Sequence, residues 1–152
     1  MILITILFVI TAGLLGAYVV SFQEATVFLS KQLTEGNPLS APGIQNTITT
    51  KSQNINKLLF FILLIAMLIY GLVFYKWCIA IFLPIITAIG AVPLLKLIVM
   101  PKPDSEFYKN KIVMSLEKKI IHYEFKGDTA RAKVAQAVLD KLHNFNKPLM
   151  DL

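Results

Sequence analysis

Charged side chains are missing from long stretches of this 152-residue sequence. Residues 1–22 and 58–75 carry no charge, and Lys76 is the only charged residue between Leu58 and Leu95. Charged residues make up 16% of the chain, whereas a soluble domain usually carries about 25%. Because a bilayer core requires about 20 apolar residues in a row, these runs predict an integral membrane protein rather than a soluble domain.

Cysteine and catalytic motifs are also scarce. Cys78 is the only cysteine, which excludes an intrachain disulfide and a cysteine-based metal site. We expect it to pack as a small apolar residue. The sequence contains no nucleophile elbow, phosphate-binding glycine loop or zinc-protease motif. His122 and His143 are expected at partly exposed helical positions rather than as metal ligands. The sequence therefore predicts no catalytic residues, no metal site and no cofactor.

Three apolar runs have the length of membrane-spanning helices. The first covers residues 2–22 and lacks the charged start and cleavage site of a signal peptide, so we expect it to be retained, with an amphipathic extension to residue 33. The other two, residues 58–75 and 77–100, flank Lys76 and predict a tight transmembrane hairpin. Pro84 and Pro93 each remove a backbone donor, which predicts a kinked third helix.

The remaining segments are polar. Residues 34–57, with Gly36, Pro38, Pro42 and Gly43, predict a loop with a helical lead-in near Ser52. The predicted architecture is all-α, with four parts: 1–33, 34–57, 58–100 and 101–152.

The C-terminal part predicts two amphipathic helices. Asp104 or Ser105 caps a helix that runs to about Phe125, Gly127 ends it, and Asp128 caps the next one. We expect this hairpin to need a third surface, since its own core is small. The expected surface is the membrane bundle, the membrane itself or a partner protein. The apolar residues proposed to dock a partner are Val113, Leu116, Ile120 and Tyr123 on the first helix, and Val134, Val138, Leu142 and Phe145 on the second.

The distribution of positive charge predicts the membrane orientation. Eleven Lys or Arg residues follow from Lys96 onward, three (Lys31, Lys51 and Lys57) lie between the first and second apolar runs, and none precedes the first span. Because cations favour the cytoplasmic side, we expect an external N-terminus, an external Lys76 and a cytoplasmic tail. The chain contains many lysines and only one arginine, Arg131, which suggests AT-rich coding, as in many bacteria. The expected location is a bacterial inner membrane.

No ionisable residue lies inside the three spans except Lys96 near an end, which argues against an ion-coupled transporter. Ala12, Gly13, Gly16 and Ala17 form small-residue pairs four apart, which favour close helix packing within the chain or with another subunit.

The leading hypothesis is a non-catalytic subunit or accessory protein of a larger membrane complex, in secretion, transport or envelope machinery. The alternative is a small homo-oligomeric channel, pore or transporter, whose polar path would be lined by Thr5, Thr11, Thr87 and Tyr70. The expected partners are the lipid bilayer, other membrane subunits or further copies of the chain, a cytoplasmic protein and anionic lipid headgroups. The Lys118–Lys119 pair is expected mainly to be a solvated face, with headgroup binding as the second interpretation. Nucleic acid is not an expected partner.

Overall fold

The computed structural model describes residues 2–34 and 41–144, and all regular structure in these ranges is helical, as predicted. The elements are α1 (Ile2–Leu33), α2 (Ala41–Ile48), α3 (Lys51–Phe74), α4 (Trp77–Ile86), a π-helical segment (Thr87–Ala91), α5 (Val92–Val99), α6 (Glu106–Phe125) and α7 (Thr129–Asn144). Three helical runs are long and apolar enough to span a membrane: Ile2–Leu33, Lys51–Phe74 and Trp77–Val99. These runs are compatible with a multi-pass membrane protein.

Helix α2 is the main departure from the sequence prediction. The prediction of a loop over residues 34–57 is wrong for residues 41–48, which are helical. Helix α3 begins at Lys51, where a helical lead-in was predicted near Ser52. Pro42 lies in the first turn of α2, where its missing N–H does not interrupt helical hydrogen bonding. A helix this short is not stable alone, so its stability comes from packing. Ile48 is fully buried, and α2 contacts both α6 and α7.

The third apolar run is interrupted between its two prolines. Val92 donates its N–H to the carbonyl of Thr87, five residues earlier, in a π-helical turn. Pro93 follows at once; it has no N–H, and its ring would clash with the carbonyl four residues before it in a regular α-helix. A wider turn relieves this clash. The structure thus has a π-helical segment between the two prolines, where the sequence predicts a kink.

The ends of α6 and α7 follow the predicted boundaries because their signals are local. Ser105 occupies the N-cap position of α6 in an extended conformation, but its hydroxyl makes no capping hydrogen bond. At the other end Gly127 has a φ of 73°, which favours glycine, and its N–H donates to the carbonyl of Glu124. Asp128 donates its N–H to the carbonyl of Tyr123, which completes a Schellman motif. The Asp128 side chain then accepts from the N–H of Arg131 and caps α7.

The chain divides into two compact units. The span unit comprises Met1–Gln23 and Lys51–Lys102, and the tail unit comprises Glu24–Thr50 and Pro103–Leu152. Helix α1 contributes residues to both units. Each unit is described separately below.

Candidate interaction surfaces

The small-residue face of α1 lies in the interior of the span unit. Ala12, Gly13, Gly16 and Ala17 are all buried. A Cβ atom at Gly13 would lie 2.7 Å from Leu95 Cδ1 of α5. At Gly16 it would lie 2.6 Å from Val92 Cγ2, and also 2.6 Å from a ring carbon of Phe60 on α3. The chain's own helices therefore occupy this face at both glycines.

A second close contact joins α3 to α4. A Cβ atom at Gly71 would lie 2.6 Å from the Cα of Ala80, a backbone atom that cannot move without shifting α4. Both residues are buried. This contact was not predicted from the sequence. The only sequence feature that indicates it is a glycine inside a run of bulky apolar residues. It holds the two arms of the hairpin close together.

Most of the polar side chains that could line a path through the spans are engaged inside the span unit. The hydroxyls of Thr5 and Tyr75 are hydrogen-bonded at 2.9 Å. Thr87 is buried and donates its hydroxyl to the carbonyl of Leu83 at 2.9 Å. The ring of Tyr70 lies 5.5 Å from that of Phe8, centroid to centroid. Of the four predicted candidates, only Thr11 is exposed.

The predicted docking residues do not form one surface in the tail unit. Leu116, Ile120, Val138 and Leu142 are buried, so a partner could reach them only by opening the unit. The buried face of α6 is turned relative to the prediction and includes Tyr108 and Ile112, while the buried face of α7 includes Ala132, Ala135 and Leu139. Val113 and Tyr123 are only partly buried, Val134 is 56% exposed, and Phe145 lies outside the described residues.

Lys119 on α6 holds the C-terminal end of α2. Its Nζ donates to the carbonyl of Thr47 at 2.6 Å and to that of Thr49 at 2.7 Å. The last carbonyls of a helix have no partners within it and carry the negative end of its dipole, so a cation is favourable here. Desolvation by burial lowers the pKa of Lys119 below its usual value of 10.5. The expectation that Lys118 and Lys119 form a solvated pair is wrong for Lys119.

A shallow groove of about 350 Å³ lies between α2, the end of α6 and the start of α7. Arg131, which forms an ion pair with Asp128 at 3.4 Å, gives the groove a cationic edge. Two predicted docking residues, Tyr123 and Val134, line it. The full lining is Asn46, Thr47, Tyr123, Ala130, Arg131 and Val134. The groove thus presents apolar, polar and cationic groups to an occupant.

The remaining candidates for chemistry are dispersed. His122 and His143 are both exposed. Cys78, expected to pack as a small apolar residue, is exposed too. Within residues 2–34 and 41–144, no three His, Cys, Asp or Glu residues are grouped closely enough to hold a metal ion.

No known protein family, curated protein or solved structure matches this chain.

Proposed function

We propose that this chain is a non-catalytic accessory subunit of a larger membrane complex. Its spans anchor the tail unit, and the groove lined by Tyr123, Arg131 and Val134 docks a protein partner. The observation that carries the proposal is the engagement of Thr5, Tyr75 and Thr87 in hydrogen bonds inside the span unit. Thr5 bonds Tyr75, Thr87 bonds Leu83, and the exposed side chains of α3 from Leu58 onward are apolar, so the spans suit lipid or subunit packing rather than conduction.

The proposed orientation has an external N-terminus and a cytoplasmic tail unit in a bacterial inner membrane. Charge asymmetry supports it, because the tail carries most of the cations. The hydrogen bonds of Lys119 to Thr47 and Thr49 give separate support for two crossings by the hairpin, since they join the segment after the first span to the segment after the third.

The orientation is tested by cysteine labelling in a Cys78→Ser background. An impermeant thiol reagent added to intact cells should label Lys76→Cys and should not label Lys126→Cys. Labelling at Lys126→Cys alone would reverse the proposed topology.

The docking role is tested by capture of the full-length, tagged protein from cells. Val134→Gln should lose a partner that the wild type retains, because it places a polar amide in the groove without disturbing the core. Ala137→Gln is the matched control, since Ala137 is an exposed residue of the same helix that does not line the groove. Equal recovery of every captured protein by the two variants would contradict docking at the groove.

The second candidate function, a homo-oligomeric pore, rests on the exposed hydroxyl of Thr11. Purified protein that forms a defined ring in detergent and conducts ions in vesicles, with conductance lost in Thr11→Val, would favour the pore. A monomer without conductance would favour the accessory role.

A further inference from the structure

Helix α6 carries a second apolar face opposite its buried one. At about 100° per residue, six exposed side chains fall within roughly 80° of arc, and we name this face the α6 stripe. Its members are Phe107, Lys111, Met114, Lys118, Ile121 and Phe125. The four apolar members range from 45% exposed at Phe107 to 91% exposed at Phe125. Large apolar side chains repeated along one exposed face mark an interaction surface.

The charges on and beside the stripe identify the chemistry of its partner. Lys111 and Lys118 lie within the stripe, and the Lys111 ammonium sits 4.4 Å from the centre of the Phe107 ring. The acidic residues Glu117 and Glu124 lie about 80–100° from the centre of the stripe, where they remain in water. Because the stripe contains two cations and no acid, a second copy of it would bring lysines against lysines. An anionic surface complements it.

We propose that the α6 stripe binds the surface of a bilayer containing anionic lipid. The apolar side chains enter the interface, and Lys111 and Lys118 reach the phosphate groups, as in helices that lie on membranes. Only residues 100–105 separate α5 from α6, so the chain itself tethers the stripe near a membrane. The structure also separates the two adjacent lysines: Lys119 is committed to the carbonyls of α2, whereas Lys118 is exposed in the stripe. This surface is distinct from the groove proposed to dock a protein.

The experiment uses full-length protein with Cys78→Ser and a fluorophore at Ile121→Cys. The protein is reconstituted into vesicles of phosphatidylcholine, with or without phosphatidylglycerol, that contain nitroxide-labelled lipid. Lipid quenching of the label should be strong when phosphatidylglycerol is present and weaker without it. A label at Ala137→Cys on α7 is the positional control and should stay unquenched in both vesicles.

Charge reversal tests the role of the lysines. Each lysine near an anionic surface should raise the ratio of docked to undocked stripe by a factor of about 5. Lys111→Glu/Lys118→Glu should therefore lower this ratio by at least roughly 25-fold. Lys133→Glu/Lys141→Glu changes the net charge of the tail unit equally on α7 and should leave the quenching at residue 121 largely intact.

Three outcomes would overturn the proposal. A label at residue 121 that is as exposed to water as the one at residue 137 would show an unbound stripe. A label shielded from both water and lipid would show a protein contact, including one with a second copy. Quenching that is indifferent to phosphatidylglycerol and to the lysine reversal would remove the anionic partner.

Discussion

Replacing Lys119 with methionine should release α2 from the tail unit. Methionine keeps an unbranched apolar stem of similar length, so the change removes mainly the ammonium and its bonds to Thr47 and Thr49. Both carbonyls lie at the C-terminal end of α2, where no backbone donor of that helix remains for them. The substitution therefore tests whether tertiary contact maintains this short helix.

The magnitude follows from the two hydrogen bonds. A bond from a charged donor contributes about 1.5–3 kcal/mol. Lys119 is only partly buried, so water screens its charge and can replace some of the lost contact. Its lowered pKa also indicates that burial of the ammonium carries an unfavourable desolvation component. We expect a net loss of about 2 kcal/mol in the free energy that keeps α2 docked.

Hydrogen exchange measured by mass spectrometry is the appropriate assay, because opening of α2 is local. In Lys119→Met, amides of residues 43–50 should exchange roughly 30-fold faster than in the wild type, while those of α7 should change little. Lys118→Met is the matched control, since the neighbouring lysine is exposed. Equal exchange of α2 in the two variants would refute the idea that Lys119 holds this helix.

Three further predictions concern packing and pH. Gly71→Ala should destabilise the detergent-solubilised protein by about 1–3 kcal/mol because of overpacking, whereas Gly90→Ala, whose nearest contact would be 3.9 Å away, should not. Equal thermal unfolding midpoints for the two variants would contradict the close contact of α3 with α4. Leu116→Asp should cost several kcal/mol and unfold the tail unit, measured as lost helical circular dichroism, whereas exposed Ile121→Asp should preserve it; a folded Leu116→Asp variant would argue against the buried position. Because the pKa of Lys119 is lowered, the unfolded state holds this proton more tightly than the folded state. The difference in unfolding free energy between wild type and Lys119→Met should therefore grow as pH rises toward 10.5. A difference that falls over this range would contradict a lowered pKa.

The sequence predicted the elements whose signals are local. The three long apolar helices are confirmed, the predicted start of α6 at Ser105 matches the structure, and the break between α6 and α7 matches because Gly127 and Asp128 act within one turn of it. Helix α2 was missed because its support comes from Lys119, which is about 70 residues away in the chain. No periodicity within residues 34–57 reports such a contact.

The buried face of α6 was predicted only in part, and the reason is visible in its composition. Apolar residues lie on two opposite faces of this helix, so spacing alone does not decide which face enters the core. Tyr108 and Ile112 are buried, while Met114 and Ile121 are exposed, and packing against α2 and α7 makes that choice. The contacts of Gly13 and Gly16 were likewise beyond the sequence, because the spacing of small residues does not identify the helix that faces them.

The π-helical segment has a consequence for the side chains that follow it. A π-helical turn contains one more residue than an α-helical turn, and one residue corresponds to about 100° of rotation. The segment Thr87–Ala91 thus sets the rotation of α5 about its own axis, so that Val92 contacts Gly16 and Leu95 contacts Gly13. In a regular α-helix of the same residues, both side chains would instead be turned by about 100° away from the glycines of α1.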